Sequence, residues 1–178
     1  PGDQLLRNYE IIQDKVNIWQ GFIAGSIITV PSVILSAFFG AMTAYGFAKF
    51  NFRYKEVLFW VVLATLMIPQ QLGLIGYHDL MVRVGLIDTY PPLILPMIAN
   101  AGMVFFVRSY IESSIPDSLI EAAIMDGAGE FYTFTRLIFP LAMPAVATMS
   151  IFTFVFKWND LITPLVLLSS EDKFPMPV

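Results

Sequence analysis

Four stretches of this chain, 16–48, 57–78, 89–107 and 137–156, contain no Asp, Glu, Lys or Arg. A helix rises about 1.5 Å per residue, so roughly 20 apolar residues are needed to cross a hydrocarbon layer about 30 Å thick. Each stretch meets or approaches that length. None offers the polar stripe by which a helix of a water-soluble bundle faces solvent. Only 13% of the residues are charged, against about 25% in an ordinary soluble domain. The chain is therefore expected to be all-α, a polytopic membrane helix bundle forming a single transmembrane domain over 1–178. Its spans are predicted at about 21–47, 57–76, 90–107 and 137–156, preceded by an external N-terminal segment, 1–18. The chain begins at Pro1 without a signal peptide's basic start and short apolar run, and reads as a fragment.

Several function classes are excluded by what is missing. There is no cysteine and only one histidine, so neither thiolate chemistry nor a histidine-based metal site or triad is available, and no metal or cofactor is expected. A net charge of -4 gives no basic footprint for nucleic acid. No G-x-x-x-x-G-K-[ST] loop is present to cradle phosphates, so the chain is not expected to be an ATPase or other enzyme. Ion-coupled secondary transport would need ionisable side chains near the bilayer midplane, which the four stretches lack.

Within the first stretch Ser36, Gly40, Ala44 and Ala48 recur every fourth residue, a row of small side chains that lets another backbone approach closely, although such residues are frequent in membrane helices generally. The stretch is too long for one upright span and is expected to tilt, to project, or to bend at Pro31. Pro69 and Gly73 interrupt the second stretch, and Pro91, Pro92 and Pro96 crowd the third. Carbonyls freed there need protein or a wet cavity as partner. Lys49, Arg53 and Lys55 favour a cytoplasmic side for the loop after the first span. The overall count ties, with Lys49, Arg53, Lys55, Arg108 and Arg136 on one side and Arg7, Lys15, Arg83, Lys157 and Lys173 on the other.

The loop 108–136 has helical grammar of its own. Pro116 and Asp117 suit a first helical turn, or Ser118 with Glu121 could form a capping box. The helix is expected to run to about Met125 and end at an Asp126-Gly127 turn, with a second helix from about Ala128 to Pro140. Ala122, Ala123 and Ala128 leave the first helix nearly bare, while Phe131 and Phe134 supply anchors toward another surface or the bundle. Glu112, Asp117, Glu121, Asp126 and Glu130 against Arg108 and Arg136 disfavour an anionic leaflet, so protein docking ranks above lipid contact.

Glu121-Ala122-Ala123, Asp126-Gly127-Ala128, Phe134, Pro140-Leu141 and Pro144 resemble the EAA motif of binding-protein-dependent ABC importer permeases. Trp158-Asn159-Asp160-Leu161 with Pro164-Leu165 resembles the carbohydrate-type members. Ala44-Tyr45-Gly46-Phe47-Ala48-Lys49, Leu66-Met67-Ile68-Pro69 and Gly85-Leu86-Ile87-Asp88-Thr89 fit the same family in order. The resemblance runs from about Asn8 to the end. It implies a type I ABC importer permease fold, here truncated at both ends, in a prokaryotic inner membrane. It further implies that 108–136 is a cytoplasmic coupling loop in which Glu121, Ala122, Ala123, Asp126, Gly127 and Ala128 dock on an ATP-hydrolysing subunit. The partners implied are ATP-binding cassette subunits, a second permease subunit in a heterodimer, an extracytoplasmic solute-binding protein and the lipid bilayer. The implied function is inward movement of a sugar or related solute. A membrane scaffold or assembly protein without a substrate path is the alternative. Gly129 and Lys157 depart from the family's usual residues.

Trp158, Asn159 and Asp160, at the start of a partial external loop 157–178, could stack on and hydrogen-bond a sugar along a substrate path. Equally, Trp158 could anchor at the interface while Asn159 and Asp160 cap the next segment. His78 is expected as a solvated loop residue beside Asp79, and the Met residues as gap fillers.

Overall fold

The computed structural model describes residues 18–176, together with Gln4; the expected external segment 1–18 thus falls almost wholly outside the described residues. The first element, α1 (Ile18–Lys49), is one 32-residue helix that passes through Pro31 without ending. At about 1.5 Å per residue it exceeds a hydrocarbon layer in length. Beside the proline, Ser32 Oγ donates to the Ile28 carbonyl at 2.7 Å. Ser36 and Ala44 are fully buried, and a Cβ placed on Gly40 would lie only 2.5 Å from Met103 Cγ. The small-residue row is thus a seam, and the helix lying in it is α5 (Ala101–Ser114).

Between them the chain departs from simple spans. The helix expected through 57–76 is α2 (Lys55–Thr65), which stops before Pro69; a 3-10 turn (Gln70–Gly73) and α3 (Leu74–Arg83) then leave at 89°. Pro69 is extended, with ψ 123°, and its missing N–H cannot continue the ladder. His78 stands on α3, not in a loop, and its neighbour Asp79 pairs one turn on with Arg83 at 2.8 Å. The third stretch starts as α4 (Pro91–Ile94), tightens into a 3-10 segment (Leu95–Ala99), and resumes as α5 after an extended Asn100.

Past α5 come α6 (Asp117–Met125), α7 (Glu130–Thr133), a π turn (Phe134–Ile138) and α8 (Phe139–Leu141). A 76° bend at Ala142 precedes α9 (Met143–Trp158), which packs on α1 and α5. The stretch 157–178, expected as a loop, contains α10 (Ile162–Leu167) and a 3-10 turn (Glu171–Lys173). The main core joins Ala41, Ala44 and Tyr45 of α1 to Met103, Val107 and Ile111 of α5 and to Phe134, Ile138 and Val146.

At one end of the bundle, Asp88 fastens two segments about eighty residues apart in sequence. Its Oδ1 accepts from the Ser169 and Ser170 amides at 3.0 Å each, and its Oδ2 from Ser170 Oγ at 2.5 Å and Lys173 Nζ at 2.7 Å. Its backbone carbonyl takes a second bond from Lys173 Nζ at 2.7 Å. Asp88 has φ 59°, the left-handed region that Asp tolerates better than most residues. Lys173 first, then the Ser170 hydroxyl and the two amides, hold the Asp88 carboxyl well below the usual carboxylate range, and the same pairing pushes the Lys173 ammonium up.

Candidate functional site

At the opposite end the chain makes an elbow. Pro116, extended at ψ 144°, precedes α6 as its N-cap and leaves the helix without a side-chain cap, so neither the proline-first turn nor the Ser118/Glu121 capping box forms. The far end is closed by the backbone alone. Gly127 takes φ 81°, its N–H donates to the Ile124 carbonyl at 2.9 Å, and Ala128 N–H reaches the Ala123 carbonyl at 2.9 Å. This pair of bonds is the Schellman closure, which needs a left-handed residue where glycine stands. The expected Asp126-Gly127 turn therefore has a definite geometry, and nothing lies within 4 Å of where a Gly127 side chain would begin.

Of α6, only Ile120 is buried. Glu121, Ala122, Asp126 and Gly127 are exposed, and Ala123 and Ala128 half-buried. The six expected docking residues thus share one short elbow. The two phenylalanines divide: Phe134 is buried in the bundle at 2% exposure, whereas Phe131 is 64% exposed beside Tyr132. Exposed apolar side chains next to a bare alanine surface give a partner something to cover.

Away from the elbow, a half-open cavity of about 600 Å³ lies between the bend at Pro69, the 3-10 segment before Asn100, and α9. Asn100 stands at its wall and serves three elements. Its Oδ1 accepts from the Met103 amide at 3.1 Å, capping α5, while its Nδ2 donates to Ser36 Oγ at 2.9 Å and Thr153 Oγ1 at 3.2 Å. Gln70, Tyr77, Lys157, Asp160 and Thr163 add polar groups to an otherwise apolar lining.

The three expected path residues separate. Asp160 lines the cavity, pairing with Lys157 Nζ at 3.2 Å and accepting from Thr163 Oγ1 at 2.9 Å and the Thr163 amide at 3.2 Å. Trp158 does not line it; its ring packs at 5.3 Å from Phe22 and 5.5 Å from Phe154. Asn159 turns back to donate to the Val155 carbonyl at 2.7 Å, closing α9. Sequence reasoning missed Asn100, Thr153 and Lys157. The available signal for Asn100 was an amide four residues after the last of three prolines in an uncharged run, where an unpaired polar group would be costly.

Residues 36–177 match the family described as binding-protein-dependent transport system inner membrane component. Among curated proteins the chain is 33% identical, over its whole length, to an arabinooligosaccharides transport system permease protein from Halalkalibacterium halodurans, and covers 64% of that protein. It is 34% identical, over 98% of its length, to a diacetylchitobiose uptake system permease protein from Streptomyces coelicolor, covering 58% of it. The fold superposes with TM-score 0.80 on a crystal structure of a bacterial ABC transporter involved in import of the acidic polysaccharide alginate, at 30% identity, covering 89% of this chain and 56% of that one. The chain thus spans about three fifths of the length of the curated relatives it matches. A helical bundle built on four charge-free stretches, its second candidate span broken at a proline, a Schellman-closed elbow carrying Glu121-Ala122-Ala123, and these matches together make the chain a member of the binding-protein-dependent transport system inner membrane component family.

Proposed function

We propose that this chain is part of a permease subunit of an ABC importer in a bacterial inner membrane, taking up a sugar or related solute presented by an extracytoplasmic binding protein. The elbow carries this reading. A helix that exposes Glu121 and Ala122, buries only Ile120, and ends on a left-handed Gly127 is shaped to be gripped by a second protein. Orientation follows: the elbow faces the cytoplasm, where an ATP-binding cassette subunit seats it, and the Asp88 clasp faces outward. Exposed apolar faces on α2, with Val57, Trp60 and Val61, and on α9, with Ile151, Phe152 and Val155, are covered by lipid and by a second permease subunit. We assign the polar wall of Asn100, Thr153 and Asp160 to the solute path, and Trp158 and Asn159 to structural support of its end. The cavity favours a transporter over a scaffold, which has no use for a space lined by polar side chains. Coupling is an equilibrium linkage: nucleotide binding shifts the partner's conformation, and the seated elbow biases the bundle between inward-open and outward-open arrangements.

Purification of the natural complex from membrane tests this directly. An ATPase subunit and a second permease should co-purify, and a cysteine at Ala123 should react with a membrane-impermeant reagent only when the cytoplasmic side is opened. Labelling of Ala123→Cys in intact cells would overturn the orientation, and an ATPase-free complex would overturn the function.

A further inference from the structure

The elbow has few holds on the bundle, and the side-chain holds at both its ends come from one helix. Lys49, the last residue of α1, donates from Nζ to the Ile115 carbonyl at 2.7 Å and to Asp117 Oδ1 at 2.5 Å. Asp117 opens α6. One turn earlier on the same face, Tyr45 donates from Oη to Glu130 Oε2 at 3.3 Å, and its ring stacks on Phe134 at 6.0 Å. Glu130 opens α7. The helices flanking the Gly127 turn are thus each held at their first residue by α1.

These holds are buried on the α1 side alone: Asp117 is 76% exposed, but the Lys49 side chain only 10%. Its ammonium also sits at the negative end of the α1 dipole, which favours a cation there. Nine residues back from Tyr45 toward the cavity, Ser36 Oγ on α1 accepts from Asn100 Nδ2. Along a helix that separation is about 14 Å. A displaced elbow therefore pulls on a continuous, tightly packed rod whose middle touches the cavity wall. The covalent route leads from α5 through the extended Ile115 and Pro116, a second connection beside the Lys49 and Tyr45 holds.

Resting on the docking reading above, we infer that Lys49 and Tyr45 are positioning residues that transmit elbow displacement to α1, and that α1 carries it to the Asn100 junction. Neither residue touches solute or nucleotide.

The test uses the assembled importer from natural membrane components, with spin labels on cysteines replacing Ser118 on the elbow and Thr43 on α1, both exposed. The label separation is measured without nucleotide and trapped with ATP and vanadate. With Lys49 and Tyr45 intact, the separation should be the same in both states, because elbow and rod travel together. Lys49→Met and Tyr45→Phe should each let it change by about 2 Å or more between states, the scale of interface helix shifts, and Lys49→Arg should restore the constant value. A state-dependent separation in the intact complex overturns the inference, as does a constant one in Lys49→Met and Tyr45→Phe. Should Lys49→Met fail to assemble, Tyr45→Phe, which removes one hydroxyl, decides alone. Failure of the ATPase to co-purify with the unsubstituted chain would mark failure of docking itself, a separate result.

Discussion

The two ends of this bundle are built on opposite terms. Around Asp88, one carboxylate takes four donors from a segment some eighty residues away, and Gln20 and Gly21 of α1 join in through the Asp172 carbonyl and the Met176 amide. The elbow end leaves Met125 87% exposed and closes its helix with backbone bonds alone. An end whose polar groups are satisfied internally holds its own shape. An end with exposed apolar groups and few holds takes its shape from what covers it. On the docking proposal, the elbow is the end built to be moved.

Gly40→Leu attacks the seam that both ends share, and carries the largest expected effect. Its Cβ would stand 2.5 Å and 2.9 Å from two atoms of Met103, and overpacking of this kind costs about 1–3 kcal/mol or more. Thermal unfolding of the detergent-solubilised complex should shift down sharply, with faster amide exchange at both ends. Gly127→Val addresses the elbow alone. With φ 81° and open space around it, the change meets no clash but places a β-branched residue in the left-handed region at about 1–2 kcal/mol. ATPase co-purification should drop while exchange at Ser169 and Ser170 stays unchanged.

The clasp is probed by pH. A depressed Asp88 carboxyl contributes stability present above its unfolded value near 3.9 and lost as pH falls through the lower folded value. A raised Lys173 contributes stability present below its unfolded value near 10.4 and lost as pH rises through the higher folded one. Exchange at Ser169 and Ser170 should therefore be protected equally from about pH 5 to 9, once intrinsic rates are corrected, and Asp88→Asn should abolish that plateau without altering the elbow. The smallest effect belongs to Gly46→Ala. Nothing lies within 4 Å of the new methyl, so α1 should gain about 0.5–1 kcal/mol between seam and elbow, raising the melting temperature slightly with transport intact.

What the sequence makes legible follows the range of the interactions. Charge-free length reveals the helices because crossing a bilayer is a local requirement on consecutive residues. Asp126-Gly127 reveals the elbow's closure because the left-handed conformation is a property of one residue. Pro69 announces a break but not an 89° turn, since the angle is set by what α3 packs against. His78 was misplaced because α3 is a short helix whose apolar contacts, such as Met81 with Leu93 and Leu167, come from far along the chain. The pairing in the clasp left no sequence signal, although Asp88 lies in a block that fits the family. Asp88 reads as an ordinary turn residue, and its partners stand some eighty positions away. The cavity lining was only partly legible: Asp160 lines it, whereas Trp158 packs on Phe22 and Asn159 closes α9 behind it, not the following segment that it was expected to cap.

The bare elbow has a consequence for the cell as well as for the machine. Ile124, Met125, Phe131 and Tyr132 are at least half exposed, and such patches invite indiscriminate sticking. On the docking proposal, a subunit synthesised in excess of its partners would display an adhesive knuckle to every passing chain. Balanced synthesis, or prompt disposal of orphans, is therefore a demand imposed by the same four side chains.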